Sequence, residues 1–301
     1  MNYINLQNIS KTFDNGKVEA VSNISFNVKS GEIFGLIGPD GAGKTTVFHI
    51  LTTLLLPDSG LASVLGFDVV KDFREIRKEA GYMPGRFSLY QDLSVEENLN
   101  FYATLFGTTV EENFDLIRDI YVQIEPFKNR RAGQLSGGMK QKLALCCALI
   151  HKPRVLFLDE PTTGIDPVSR KELWQMLRKL KSGDIAILVS TPYMDEALQC
   201  DKVGLMKNGK LLSIDTPAHL IEDYSKPLYA VTADNIYHLL QILEKYPKRI
   251  NSYAFGENAH VVFNGSENEL INFLSANNLK SITVKKIKAT VEDCFIDLSG
   301  M

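Results

Sequence analysis

The segment Gly38-Pro39-Asp40-Gly41-Ala42-Gly43-Lys44-Thr45 constrains this chain more than any other stretch. It has the spacing G-x-x-x-x-G-K-[ST], with the apolar run Ile33–Ile37 before it and a helical pattern after it. That helix is expected from Lys44 to about Leu56, where Pro57 and the turn Asp58-Ser59-Gly60 stop it. Glycines here let backbone N–H groups curl round a phosphate, and the helix start adds positive potential. Lys44 is placed to reach terminal phosphates, and Thr45, followed by Thr46, to offer a hydroxyl to Mg²⁺. A strand, loop and helix in this register belong at the carboxyl edge of an open sheet, so an α/β fold is expected.

Composition agrees with a buried core, since apolar residues make up 45% and charged residues 23%. The formal charge of −3, from 33 basic and 36 acidic side chains, supplies no basic excess, so no nucleic-acid partner is expected. The densest apolar stretch, Leu143–Ile150, is far too short to span a bilayer. The first residues lack the basic flank and apolar centre of a signal segment. Any membrane role is therefore expected from the cytoplasmic face, peripherally, through partner subunits. Cys146, Cys147, Cys200 and Cys294 form no CxxC pair, and reduced, partly buried thiols are the expected state.

A second apolar strand, Val155–Leu158, delivers Asp159 and Glu160 at its carboxyl end. Together with the phosphate loop, this pair suits cation binding by Asp159 and polarisation of an attacking water by Glu160. One helix earlier stands Leu135-Ser136-Gly137-Gly138-Met139-Lys140-Gln141. A serine, two glycines and a helix start make a further anion site.

With this third motif the chain, from about Asn2 to Ser225, resembles the ABC ATPase family, for which it is the signature. The resemblance implies a P-loop NTPase of ABC type: a mixed sheet core, an antiparallel β subdomain and a helical insert at about residues 86–138. It also implies ATP and Mg²⁺ as cofactors, with Gly38, Pro39, Asp40, Gly41, Ala42, Gly43, Lys44, Thr45 and Thr46 round the phosphates. Thr45 and Asp159 would hold the metal, Glu160 would be catalytic, and Phe13 would stack on adenine. Ser136, Gly137 and Gly138 would bind the γ-phosphate of a nucleotide held by the other half of a dimer. Gly164-Ile165-Asp166-Pro167 resembles the loop that crosses that interface. Transmembrane permease subunits are the further partners implied, docking on the helical insert.

Two family positions are altered. The glutamine that contacts Mg²⁺ and water corresponds to Gly85 in Tyr82-Met83-Pro84-Gly85-Arg86-Phe87. The switch histidine corresponds to Pro192 in Thr191-Pro192-Tyr193. Glycine has no side chain to offer, and proline lacks even the backbone donor. Losing one aligned donor typically slows a reaction by roughly 10²–10³. The chain's own site is therefore expected to bind ATP and hydrolyse it slowly, in a heterodimer, or a dimer with a second ATPase domain, rather than a homodimer. The alternative is a homodimer in which Tyr193, Arg86 or water replaces the lost groups. A mainly non-hydrolytic clamp subunit is a second reading.

The pattern changes near Ser225-Lys226-Pro227, which divides the chain into a nucleotide-binding domain, 1–226, and a small α+β domain, 227–301. The second part reads strand, helix, strand, strand, helix, strand, an order that matches a ferredoxin-like unit. His238 and His260 stand isolated there. A last helix, Thr290–Leu298, is expected with Thr290 and Asp293 as its cap.

Overall fold

The computed structural model describes residues 1–300. By contact density the chain forms two compact units, Met1–Pro217 with the residues from Leu298, and Ala218–Asp297.

In the first unit a six-stranded sheet runs in the order Lys210–Asp215, Lys202–Lys207, Ile33–Ile37, Ala186–Thr191, Val155–Asp159, Ala80–Met83. Every neighbouring pair is parallel except the first, which is an antiparallel hairpin. That hairpin turns at Asn208 and Gly209, both at positive φ (49° and 76°), as a primed two-residue turn requires. Ile33–Ile37, Val155–Asp159 and Ala186–Thr191 are buried throughout. Strands covered on both faces read as continuous apolar runs, which is why these were plain in the sequence.

An antiparallel sheet in the order Val18–Lys29, Asn2–Phe13, Ser59–Val64, Phe67–Asp68 shares one core with it. The rings of Phe26 and Phe34 stack across that junction with centroids 4.9 Å apart. The helix after the phosphate loop, Lys44–Leu51, is shorter than the expected Lys44–Leu56. Thr53 takes φ 63°, and the N–H groups of Leu54 and Leu55 both return to the carbonyl of His49, so the chain turns out before Pro57 can act. The insert holds Val95–Leu105 and Phe114–Tyr121. Ser94 and Glu97 form a reciprocal capping box at the start of the first of these helices.

In the second unit an antiparallel sheet orders Arg249–Phe255, Asn258–Phe263, Leu228–Thr232, Thr283–Ile287. Helices Ile236–Glu244 and Glu267–Ala276 press Leu239, Leu243, Leu270 and Leu274 onto Val231, Val261 and Phe263. Asp293 is fully buried and ties the last helix to the sheet. Its Oδ1 accepts from Tyr253 Oη and His260 Nδ1, both at 2.6 Å. Its Oδ2 accepts from the N and Oγ1 of Thr290 at 2.6 and 2.7 Å.

Burial alone would raise the Asp293 carboxyl, but the bonds from His260, Tyr253 and Thr290 outweigh it and hold it at about 2, below its ordinary 3.8. A depressed carboxyl stabilises the fold fully above its unfolded value and loses that contribution as pH falls through the folded one. Stability of the Ala218–Asp297 unit should therefore fall between about pH 4 and pH 2. Circular dichroism melts should show a smaller drop over this interval for Asp293→Asn, with lower stability at pH 7.

Candidate functional site

The phosphate loop opens on a cleft of about 440 Å³ whose lining includes Asp40, Gly43, Lys44, Thr45, Thr46 and Glu160. Gly43, the residue before the helix, sits at φ 100°. A Cβ there would lie 2.2 Å from the carbonyl oxygen of Ala20, so both the conformation and the space demand glycine. Lys44 is 3% exposed, yet its ammonium is fully engaged. It donates to the carbonyls of Gly38 (2.8 Å) and Pro39 (3.1 Å) and lies 3.4 Å from Glu160 Oε1. Thr45 stands exposed on the first helical turn. Phe13 is 40% exposed, an open ring and not a core phenylalanine, with the Lys11 ammonium 5.9 Å from its centroid.

Asp159 and Glu160 are fixed by the neighbouring strand. Glu160 takes a left-handed backbone, φ 50°, and its N–H donates to both the carbonyl (3.1 Å) and the Oγ (2.9 Å) of Ser190. Ser190 Oγ in turn donates to Asp159 Oδ1 at 2.5 Å. Gly85 reaches this cluster from the sheet edge. A Cβ on Gly85 would stand 3.2 Å from the Asp159 carbonyl oxygen and 3.8 Å from its Oδ2, so a side chain here would point at the carboxylate.

Ser136–Gly138 are not among the residues lining this cleft. Ser136 caps the helix Gly137–Leu149, accepting from Met139 N at 3.4 Å, and remains exposed. The two glycines pack on the loop before the helix Pro167–Lys181. A Cβ on Gly137 would fall 3.0 Å from the Gly164 carbonyl, and one on Gly138 2.5 Å from Ser169 Oγ. Asp166 caps that second helix by accepting from the N–H groups of Val168 and Ser169, both at 3.0 Å.

Sequence reasoning missed Glu196 and Arg170. Glu196 is 2% exposed, and its Oε2 accepts from Thr162 Oγ1 (3.0 Å) and Thr191 Oγ1 (2.5 Å). Its Oε1 lies 3.5 Å from Arg170 Nε. The guanidinium of Arg170 also covers the Tyr193 ring, 4.2 Å from its centroid. An acidic residue four positions after Pro192 was the available signal, but Asp195-Glu196 reads in sequence as a solvated helix start.

A larger groove of about 610 Å³ lies over the free edge of the six-stranded sheet, between the helices Val95–Leu105 and Gly137–Leu149. Leu54 and Leu105 stand 57% and 63% exposed at it. Burial pushes the His151 ring down to about 4, so it is neutral at pH 7. It stacks on Phe106 at 3.8 Å, and its Nε2 lies 3.2 Å from the Ala80 carbonyl.

A family model described as ABC transporter matches residues 21–163. The probable multidrug ABC transporter ATP-binding protein YbhF of Escherichia coli (strain K12) is 40% identical over 301 residues, covering 99% of this chain and 52% of that protein. The chain thus spans about half the length of that relative. The Nod factor export ATP-binding protein I of Rhizobium sp. (strain N33) is 36% identical over 251 residues, 82% of each chain. Among solved structures, a dimeric ATP-binding cassette in a post-hydrolysis state, bound to ADP and Pi, superposes with a TM-score of 0.64 at 25% identity. That match covers 71% of this chain and 98% of the other.

Gly43→Ala should weaken ATP binding by about 10-fold or more, roughly 1.4 kcal/mol, by titration calorimetry. Gly41→Ala, where a Cβ meets nothing within 4 Å, should weaken it less.

Proposed function

The chain belongs to the ABC transporter ATP-binding family, and from that premise we propose that it is the ATP-binding subunit of an exporter. It would work as one half of a nucleotide-sandwiching dimer beneath membrane permease subunits. The observation that carries this reading is the separation of its two anion sites. Lys44 faces the cleft, while Ser136–Gly138 lie outside it at a helix start, with Ser136 and Gly137 exposed and Gly138 buried. Two half-sites that cannot serve one nucleotide in one chain fit a pair of chains that serve two. The export direction is supported by the Rhizobium relative, a Nod factor export ATP-binding protein.

Within the cleft, Gly38–Thr46 would wrap the phosphates, Lys44 would exchange its carbonyl partners and Glu160 for phosphate oxygens, and Phe13 would stack on adenine. Released from Lys44, Glu160 would accept the proton of the attacking water. The Thr45 hydroxyl and the Asp159 carboxylate are the hard oxygen donors that Mg²⁺ takes beside phosphate oxygens, so this donor set fits the ion. When bound, Mg²⁺ would neutralise charge developing on the phosphates.

Hydrolysis at the chain's own site is proposed to be slow. Gly85 sits where a side chain would meet Asp159, and it has none. Of the groups offered as substitutes, Tyr193 lies under Arg170, and Arg86 is exposed. This supports a heterodimer, in which a different chain brings the complete loop opposite Ser136–Gly138. The groove over the sheet edge, with Leu54 and Leu105 exposed at it, supports permease docking. The domain division at 226/227 stands in this proposal, with the α+β part steadying the dimer.

The purified chain should bind ATP but turn it over slowly. Introducing Gly85→Gln together with Pro192→His should raise turnover by about 10-fold or more, since the first restores a contact to Mg²⁺ and the attacking water and the second a donor to the reacting phosphate. Rapid turnover of the unaltered chain, abolished by Glu160→Gln, would sink the slow-site reading.

A further inference from the structure

Tyr82 belongs to the edge strand Ala80–Met83, and its register partner is Phe157. Phe157 shares a sheet face with Asp159, two residues along the same strand, so the Tyr82 ring rises on the carboxylate's side of the sheet. That ring also lines the groove proposed above as the permease seat. The hydroxyl is buried and has no hydrogen-bond partner among the described residues. Burial first, and the Asp159 charge second, push the phenol above its ordinary range, so the oxygen keeps its proton. Native structures rarely bury an O–H donor without an acceptor, and those that do invite a functional reason. Asp159 accepts from Ser190 on Oδ1, while a Cβ on Gly85 would stand 3.8 Å from its Oδ2, where glycine offers no side chain.

We propose that Tyr82 is the positioning residue that carries groove occupancy to Asp159. An occupant pressing on the ring turns the hydroxyl toward the carboxylate and fixes the orientation in which Asp159 meets the cation. A family glutamine would connect the same two places; Gly85 cannot. The occupant is an amphipathic helix of a membrane permease subunit. Leu54 and Leu105 offer it apolar contact, and Arg77, bonded to the uncharged oxygens of Thr53, favours an acidic residue along its margin, whereas Lys78 is already paired with Glu75. This inference rests on the reading of the groove as the permease seat.

The test uses the complex purified with its permease from native membranes, in lipid nanodiscs. Tyr82→Phe should still co-purify with the permease, and the isolated variant should melt no lower than the unaltered chain, because the lost hydroxyl had no partner. In the complex, KM for ATP should hold, the Mg²⁺ needed for half-maximal rate should rise, and permease-stimulated kcat should fall by about 10-fold. Full stimulation of Tyr82→Phe would overturn the proposal. So would a fall in melting temperature or in co-purification that accounts for the lost rate, since Tyr82 would then be structural. Leu105→Glu tests the seat separately: loss of co-purification upholds it, and an intact complex removes the docking reading and the Tyr82 proposal with it.

Discussion

Ser190 is the point on which the site is hung. It closes the strand Ala186–Thr191, which lies between the phosphate-loop strand and the carboxylate strand. One buried hydroxyl accepts from the Glu160 N–H and donates to Asp159, so the two acids leave their strand in different directions. The left-handed backbone of Glu160 is held by the same pair of Ser190 bonds. Such a conformation costs on the order of 1–3 kcal/mol for a residue with a side chain and persists only where its surroundings enforce it. The strain turns the carboxylate out of the sheet and toward the Lys44 ammonium.

Lys44 shows the complementary side of this constraint. A lysine left only 3% exposed needs oxygen partners for its ammonium; the loop supplies two carbonyls and Glu160 a carboxylate. Those partners satisfy the charge without covering it in hydrocarbon, so phosphate oxygens can replace them without first breaking an apolar contact. In the proposed function Glu160 would thereby be coupled to occupancy: a nucleotide that takes its cation would also free its carboxylate.

What was legible in the sequence divides along physical lines. The phosphate loop, Asp159-Glu160 and Ser136–Gly138 are local arrangements in which a few consecutive residues fix the backbone, and each sits on the element expected for it. The capping box at Ser94 and the hairpin at Asn208-Gly209 were readable for the same reason. The helix after Lys44 was drawn too long because its end is set by a left-handed Thr53, a residue with no turn signature. Glu196 and Tyr82 were opaque: a buried glutamate has the spelling of an exposed one, and an edge-strand tyrosine that of an ordinary core aromatic. Apart from Thr191, five residues from Glu196, their partners are distant in sequence, as with the Thr162–Glu196 bond separated by 34.

The loop after Ala186–Thr191 carries the argument on asymmetry furthest. If a homodimer were to recover the function lost with Pro192, the nearest candidates would be Thr191 and Tyr193. Thr191 spends its proton on Glu196 and its lone pair on the Tyr193 N–H. Tyr193 is covered by the guanidinium of Arg170, which also faces Glu196. The cluster is therefore tied, through Arg170, to the helix Pro167–Lys181 that Asp166 caps. Freeing Tyr193 would expose Arg170 to a buried carboxylate with fewer hydrogen bonds, a change that low-dielectric surroundings penalise. A loop braced in this way suits a chain that lends a rigid edge to another nucleotide better than one that must reach for its own.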